Sequence, residues 1–330
     1  MKKKIAINGF GRIGRLVMRH LLETGNAEIV GINDLTDNET LAHLFKYDTA
    51  HGTFPGEVSY SKDSIIIDGK PIHATAIKNP AELPWKELDV DIVLECTGIF
   101  LSRDTAQLHL DAGAKKVILS APAKDNSIKT IVLGVNDHEI DADTQIYSNA
   151  SCTTNCLAPI AKVIVDHWGV QKGSLSTVHA YTGDQNLQDS PHRDLRRARA
   201  AAQNIIPTST GATKAASLVV PQLKGKISAI AIRVPVITGS LIDLSILTEK
   251  SPVSVEEINN TFSEAAENKY AGYIQYSEEH LVSTDIVGNK HSAIFDAQLT
   301  TLHEGMMRVF AWYDNESGYA ARLGDLALRV

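Results

Sequence analysis

Ile5-Ala6-Ile7-Asn8-Gly9-Phe10-Gly11-Arg12-Ile13-Gly14 decides the reading of the first half of the chain. A short apolar run, Lys4–Asn8, meets a G-x-G-x-x-G string. Arg12–Glu23 follows with apolar residues at 13, 16, 17, 21 and 22, the spacing of one helical face. A second strand, Glu28–Asn33, is followed by Asp34, 20 residues after Gly14. Strand, glycine turn, helix and strand-end carboxylate make the full context of a dinucleotide-binding βαβ unit. Gly9 permits the tight turn, and Gly14 lets helix and strand pack closely. Gly11 lets backbone N–H groups approach a pyrophosphate at the positive end of the helix. Asp34 can accept from both hydroxyls of an adenine ribose and would repel an added 2′-phosphate, which favours NAD over NADP. The rival reading, a glycine-rich turn with no ligand, leaves this context unexplained.

Outward from this unit, strand-like and helix-like segments keep alternating. Thr40–Tyr47 reads as a helix. Val58–Ile77 reads as two alternating β runs around Asp68-Gly69, a hairpin signal inside an otherwise parallel pattern. Asp91–Cys96, Lys116–Ser120, Thr130–Val135 and Gln145–Ser148 are further strand candidates, with a helix at Asp104–Ala112. Such alternation predicts an α/β domain: a mostly parallel sheet with helices on both faces. After about residue 150 the pattern changes. Ser151–Trp168 reads as a helix. Longer β runs follow at Ser174–Ala180, Lys226–Val234, Ser240–Thr248, Ser292–Ala297 and Met306–Tyr313. Helices are predicted at Thr210–Val220, Val253–Asn268 and Ser317–Val330. This is the pattern of an α+β domain with a large, mostly antiparallel sheet. The polar, Arg-rich stretch Tyr181–Pro207 is long enough to suggest a functional loop.

Composition sets the outer bounds. The chain has 330 residues, 43% hydrophobic and 22% charged, which suits two globular domains and argues against disorder. A net charge of -7 argues against nucleic acid as the main partner. No apolar run approaches the ~20 residues of a membrane helix. Lys2-Lys3-Lys4 leads straight into the glycine-rich fingerprint rather than into a signal sequence, so the expectation is a cytoplasmic protein. Three cysteines (Cys96, Cys152, Cys156) make no disulfide framework and fit a reducing compartment.

One of the three stands apart. In Ser148-Asn149-Ala150-Ser151-Cys152-Thr153-Thr154-Asn155-Cys156, Ser151 is placed to cap the following helix, which puts Cys152 in the first turn. The helix dipole there stabilises a thiolate, and such cysteines can titrate at roughly 3.5–7.5. Cys96 and Cys156 read as small buried apolar residues, and C-x-x-x-C alone is a poor metal signal, so no metal is expected. A nucleophilic cysteine needs a base. His179, ending the strand Thr177-Val178-His179, is the best of twelve histidines for that role.

Together these residues resemble the phosphorylating glyceraldehyde-3-phosphate dehydrogenases over the whole chain. Further motifs that carry the resemblance are Asn33-Asp34, Lys46-Tyr47-Asp48, Asp194-Leu195-Arg196-Arg197-Ala198-Arg199, Thr210-Gly211-Ala212, Arg233-Val234-Pro235 and Trp312-Tyr313-Asp314-Asn315-Glu316. The resemblance implies a Rossmann NAD-binding domain at 1–150, completed by a C-terminal helix at 315–330, and a catalytic domain at 151–314. It implies a homotetramer. It also implies oxidation of glyceraldehyde 3-phosphate with NAD and inorganic phosphate, through a thiohemiacetal and a thioester on Cys152, with His179 as base. By motif match, Thr182 and Arg233 would hold the substrate's phosphate. Ser151, Thr153, Thr210, Gly211 and Arg197 would hold the attacking phosphate, and Cys152 would belong to the same substrate-binding set. Arg12, Ile13, Asp34, Lys78, Ser120 and Asn315 match cofactor contacts.

The chain departs from the family at three places. Lys78 stands where many members have arginine, Ser190 where leucine is usual, and Val236-Ile237-Thr238-Gly239 where Thr-Pro-Asn usually follows Pro235. The nearest alternative is an erythrose-4-phosphate dehydrogenase. Asp34, Tyr181-Thr182 and Thr210-Gly211-Ala212 favour the glyceraldehyde enzyme. A catalytically silent NAD-binding protein is the rival from another class, and it has no use for Cys152, His179, Arg197 and Arg233 together.

Overall fold

A computed structural model describes residues 2–330. Contacts divide the chain into two units. One comprises the stretch to Ile131, His138–Ala150 and Ala320–Val330; the other comprises Val132–Asp137 and Ser151–Tyr319.

The first unit contains β1 (Lys3–Asn8), α1 (Arg12–Thr24), β2 (Ala27–Asn33), α2 (Asn38–Lys46), β3 (Val58–Ser61), β4 (Ser64–Ile67) and β5 (Lys70–Thr75). After these come β6 (Ile92–Glu95), α3 (Arg103–Asp111), β7 (Lys116–Leu119), β8 (Lys129–Thr130) and β9 (Ile146–Ser148). The nine strands form one sheet in the order β3-β4-β5-β2-β1-β6-β7-β9-β8. Every pair from β5 to β8 along that order is parallel. Ile5–Asn8 of β1 and all four residues of β6 are buried, apolar up to the closing Asn8 and Glu95, the reading of a covered parallel strand. β1 has β2 on one side and β6 on the other, so the winding of the chain reverses there. Open α/β sheets bind ligands at the carboxyl ends of the strands flanking such a reversal.

Two local expectations change. The Val58–Ile77 region holds three strands, with β4 turning at Asp68-Gly69 (φ 49 and 75) into β5. The strand expected at Thr130–Val135 stops at Thr130. Asn136 Oδ1 accepts the Val132 N–H at 2.9 Å, and Gly134 takes φ 86, so the apolar run coils rather than extends. α3 is capped by Ser102, which accepts the Thr105 N–H in a capping box.

The second unit contains α4 (Cys152–Trp168), β10 (Lys172–Ala180), β11 (Ile206–Thr208), α5 (Ala212–Val219), β12 (Ile227–Val234), β13 (Ser240–Leu247) and α6 (Val255–Glu267). β14 (Ile274–Ser277), β15 (Ala293–Asp296), β16 (Thr301–His303) and β17 (Met306–Tyr313) follow. These strands form an eight-stranded sheet in the order β11-β12-β10-β13-β17-β15-β14, with β16 on β17. β10–β12 and β14–β15 are parallel and the other pairs antiparallel. β13 alternates between buried and partly covered residues, and α4, α5 and α6 pack on the strands. α7 (Ser317–Arg329) crosses the division of the chain: its residues from Ala320 group with the first unit and Ser317–Tyr319 with the second. Within the first unit, Asp325 meets His20 at 3.0 Å, and Lys3 Nζ donates to the Val330 carbonyl at 3.0 Å. No helix among the described residues is long and apolar enough to cross a membrane.

Candidate active site

The first unit carries a cleft of about 750 Å³ at the carboxyl ends of β1, β2 and β6. Gly9, Gly11, Asp34 and Lys78 line it, with Leu35, Ile77, Ile99 and Phe100 as apolar walls. The glycines are sterically required. Gly9 sits at φ 92, and a Cβ there would lie 2.7 Å from the Thr97 nitrogen. A Cβ on Gly14 would lie 2.2 Å from the Gly9 carbonyl oxygen. A Cβ on Gly11 would meet no atom within 4 Å. Gly11 therefore borders open space where α1 starts. It is the N-cap residue and supplies no side-chain cap at the positive end of α1, where an anion is favoured. These residues fit a dinucleotide.

Asp34 does more than face the cleft. Its Oδ2 accepts the Phe10 N–H at 2.8 Å and its Oδ1 the Thr36 N–H at 3.0 Å, so the carboxylate also fastens the fingerprint turn. Arg12, Ile13, Gly14 and Ser120 are not cleft-lining residues. Arg12 pairs with Asp48 at 2.5 Å, and burial raises the Asp48 carboxyl less than the His51 N–H and Arg12 lower it. Ser120 lies beside Cys96, a half-buried thiol in the cleft wall that burial pushes up to about 12.

The second unit builds the thiol site. Ser151 has an extended backbone and accepts the Thr154 N–H at 3.1 Å, which starts α4 at Cys152. Sγ of Cys152 lies 3.4 Å from Nε2 of His179, the penultimate residue of β10. His179 is 4% exposed, and its Nδ1 lies 2.7 Å from the Ala180 carbonyl oxygen. That short contact assigns the proton to Nδ1 and leaves the Nε2 lone pair on the sulfur, the tautomer a base requires. The parallel register pairs His179 with Arg233 of β12. Nη1 of Arg233 donates to the Ala180 carbonyl and to Thr182 Oγ1, both at 3.0 Å, and passes 3.1 Å from His179 Nδ1. The buried Arg233 Nε has no hydrogen-bond partner among the described residues.

Burial pushes the Cys152 thiol above its ordinary value, opposed first by the Arg233 charge. Burial and then Arg233 hold the His179 imidazole down at about 3. The position at a helix start favours the opposite direction for the thiol; here burial outweighs the Arg233 charge and the hydrogen bonds at Thr153. A lone charge on either partner is costly in this pocket. Moving the proton from Sγ to Nε2 leaves the net charge of the pair unchanged, and that is the route by which the sulfur becomes nucleophilic.

Tyr313, at the end of β17, is a wall that sequence reasoning passes over. Its hydroxyl bridges Thr153 Oγ1 at 2.8 Å and Thr177 Oγ1 at 2.9 Å, and its ring stands edge-on to His179. Thr153 is thereby engaged, and Ser151 is engaged by Thr154 Oγ1 at 2.7 Å. Arg197 pairs with Asp184 and donates from Nε to Thr208 Oγ1 at 3.0 Å. Thr182 Oγ1 donates to the same Asp184 carboxylate. An internal carboxylate thus already sits against Thr182 and Arg197. Thr210 Oγ1 accepts the Ala212 N–H at 3.2 Å beside Gly211, the N-cap residue of α5, which packs on α4. Asn315 Oδ1 accepts from the Gly239 N–H at 3.1 Å and the Ser240 hydroxyl at 2.9 Å, which leaves its NH₂ as the donor end. The departure at Val236–Gly239 therefore seats Asn315 within its own unit.

Two family models match the chain. "Glyceraldehyde 3-phosphate dehydrogenase, NAD binding domain" covers residues 3–103, and "Glyceraldehyde 3-phosphate dehydrogenase, C-terminal domain" covers residues 151–315. The glyceraldehyde-3-phosphate dehydrogenase of Thermotoga maritima is 56% identical over 325 residues, 98% of this chain and 97% of that protein. Glyceraldehyde-3-phosphate dehydrogenase 1 of Bacillus cereus is 53% identical over 326 residues, 98% of this chain and 97% of that protein. The Priestia megaterium glyceraldehyde-3-phosphate dehydrogenase is 54% identical over 329 residues, with 99% and 98% covered.

Proposed function

The chain belongs to the glyceraldehyde-3-phosphate dehydrogenase family, and from that premise we propose how its own residues divide the work. The protein oxidises glyceraldehyde 3-phosphate with NAD and inorganic phosphate to 1,3-bisphosphoglycerate. NAD supplies the hydride acceptor when bound in the first unit.

Cys152 attacks the aldehyde carbon: the S–C bond forms, the thiol proton moves to His179 Nε2, and Nε2 returns it to the substrate oxygen. When the C–H hydride departs, His179 Nε2 takes the hydroxyl proton as the C=O bond re-forms, leaving a thioester. A phosphate oxygen then attacks that carbon, the S–C bond breaks, and His179 reprotonates the sulfur. The proton on Nδ1, held by the Ala180 carbonyl, keeps Nε2 in its role through all three steps.

Thr182 and Arg233 hold the substrate's phosphate; the unpartnered Arg233 Nε supports this. Ser151, Thr153, Arg197, Thr210 and Gly211 serve the attacking phosphate, and an anion displaces Asp184 from Arg197. Gly9, Gly11, Arg12, Ile13, Gly14, Asp34, Lys78 and Ser120 would hold NAD, and the Asn315 NH₂ would donate to its carboxamide. The NAD domain is 1–150 with the C-terminal helix, the catalytic domain 151–314. We further propose a cytoplasmic homotetramer, on the ground of the family alone.

The observation that carries this reading is the 3.4 Å approach of Sγ to Nε2. The test is NADH formation from glyceraldehyde 3-phosphate with and without phosphate, run beside erythrose 4-phosphate. Sustained turnover only with the first aldehyde and phosphate is expected. Faster turnover with erythrose 4-phosphate would overturn it.

A further inference from the structure

Four adjacent strands end in polar side chains that the chemistry does not use. Thr75, Asn33, Asn8 and Glu95 close β5, β2, β1 and β6, and the registers set them side by side. Asn8, Asn33 and Glu95 are buried, at 1%, 5% and 0% exposure, far from the usual place of a carboxylate.

Their hydrogen bonds run in one direction. Thr75 Oγ1 at 2.8 Å and the Ile77 N–H at 2.9 Å donate to Asn33 Oδ1. Asn33 Nδ2 donates to Asn8 Oδ1 at 2.7 Å, and Asn8 Nδ2 to Glu95 Oε2 at 2.6 Å. From the other side, Trp85 Nε1–H donates to His109 Nδ1 at 3.1 Å. That assigns the His109 proton to Nε2, which donates to Glu95 Oε2 at 3.0 Å. The Thr97 N–H donates to Glu95 Oε1 at 2.8 Å, and the Thr97 hydroxyl donates to the same oxygen. Glu95 is thus the common acceptor of four donors, the satisfaction a buried carboxylate requires. The polarity is locked at fixed points: the Ile77 and Thr97 donors are backbone, and an indole N–H cannot accept. Neither asparagine amide can flip without setting donor against donor.

What this ladder holds is the nucleotide cleft. Asn8, Asn33, Ile77 and Thr97 all line it. Asn8 immediately precedes Gly9, and Asn33 immediately precedes Asp34. The Thr97 nitrogen is the atom closest to where a Gly9 Cβ would stand. We propose that Glu95 is the positioning residue of the dinucleotide cleft: one buried carboxylate, through Asn8, Asn33 and Thr97, fixes the fingerprint turn, the Asp34 segment and the opposite wall before any ligand arrives. The inference rests on the NAD reading and deepens it. Such pre-organisation raises affinity by removing an ordering cost that binding would otherwise bear.

Glu95→Gln tests it. The substitution keeps the shape but turns one acceptor into an NH₂ that faces either Asn8 and His109 or Thr97. Equilibrium dialysis should give a Kd for NAD at least about tenfold above wild type. At saturating NAD, kcat should stay near wild type while the KM for NAD rises with the Kd, because no ladder residue touches the thiol site. In the NAD-free protein, the Thr97 and Ile77 amides should exchange with solvent faster. A variant with lowered Tm but wild-type Kd and wild-type exchange at both amides has lost a purely structural group, and that result overturns the proposal. So does a fall in kcat at unchanged Kd. If Glu95→Gln fails to fold, Thr97→Val, which removes the hydroxyl donor to Glu95 Oε1 together with the acceptor of the Ile99 N–H, is read in the same two ways, with a smaller rise in Kd expected. The exchange measurement needs no NAD. If the wild-type protein binds no NAD, the cofactor reading fails, whereas unchanged exchange in the variant fails the ladder alone.

Discussion

Replacing Asp34 tests the cofactor preference and the anchoring of the fingerprint turn at once. In the wild type its carboxylate accepts the Phe10 and Thr36 N–H groups at 2.8 and 3.0 Å, with lone pairs left for two ribose hydroxyls. Against a 2′-phosphate the same group sets like charges a few ångströms apart, and such juxtaposition can cost several kcal/mol. The wild type should therefore prefer NAD over NADP by at least ~10-fold in kcat/KM, equivalent to ~1.4 kcal/mol. Asp34→Gly deletes both roles. A hydrogen bond to a charged group is worth about 1.5–3 kcal/mol, and the partly buried Phe10 contact is the one water replaces least well. With the ribose contacts also gone, kcat/KM for NAD should fall by roughly 30-fold or more. NADP use should change little, because relief of repulsion is offset by the loosened turn and no cation is supplied for the phosphate. Asp34→Asn, which retains one acceptor oxygen, should fall between. Steady-state kinetics of all three proteins with both cofactors decide the matter. Equal use of NAD and NADP by the wild type, or an Asp34→Gly variant that gains NADP activity at undiminished NAD activity, refutes the reasoning.

Three other perturbations probe the thiol site. Cys152→Ser should abolish turnover with NAD affinity nearly intact by dialysis, whereas Cys96→Ser and Cys156→Ser should keep turning over. His179→Asn should lower kcat by about 10²–10⁴ and slow alkylation of Cys152 by iodoacetamide at neutral pH, since the thiol loses its proton acceptor while burial still holds it up against the Arg233 charge; pH profiles that overlay the wild type would show the pairing to be wrong. The same histidine sets an acid limit on stability. Its imidazole is held at about 3 in the fold against an ordinary 6.5, so the unfolded chain binds the extra proton first as pH falls. The stability contribution is complete above 6.5 and is lost on descending toward 3, by up to several kcal/mol. Tm measured against pH should thus fall less steeply between those values in His179→Asn than in the wild type.

How much of this was legible beforehand depended on how local the signal was. The fingerprint, the Ser151 cap and the Asp68-Gly69 turn are set by neighbours in sequence, and each appears where its residues imply. β8 ends early because a side chain four positions on, Asn136, takes the Val132 N–H, which no apolar pattern reveals. The approach of Cys152 to His179 depends on a helix and a strand that meet only in the fold. The same holds for His179 and Arg233, which a β10–β12 register joins across 54 residues. A helix start, which favours the Cys152 thiolate, can be seen in sequence; the burial that opposes it appears only in the fold. The Glu95 ladder left one trace, a polar residue closing each buried strand, but its hydrogen-bond polarity emerges only when four strands lie side by side. Tyr313 shows in sequence only as part of the Trp312–Glu316 motif, since its hydroxyl contacts, Thr153 and Thr177, come from two other elements.

The central claim is that oxidation is stored as a thioester on Cys152 and released by phosphate. Mixing enzyme, NAD and glyceraldehyde 3-phosphate without phosphate, followed by quenching and intact-mass and peptide analysis, tests it most directly. A burst of one NADH per Cys152 thiol, with a phosphoglyceryl adduct on the Cys152 peptide that disappears when phosphate is added, is the predicted result. A burst with no adduct, or an adduct on Cys96 or Cys156 that phosphate discharges, would contradict it.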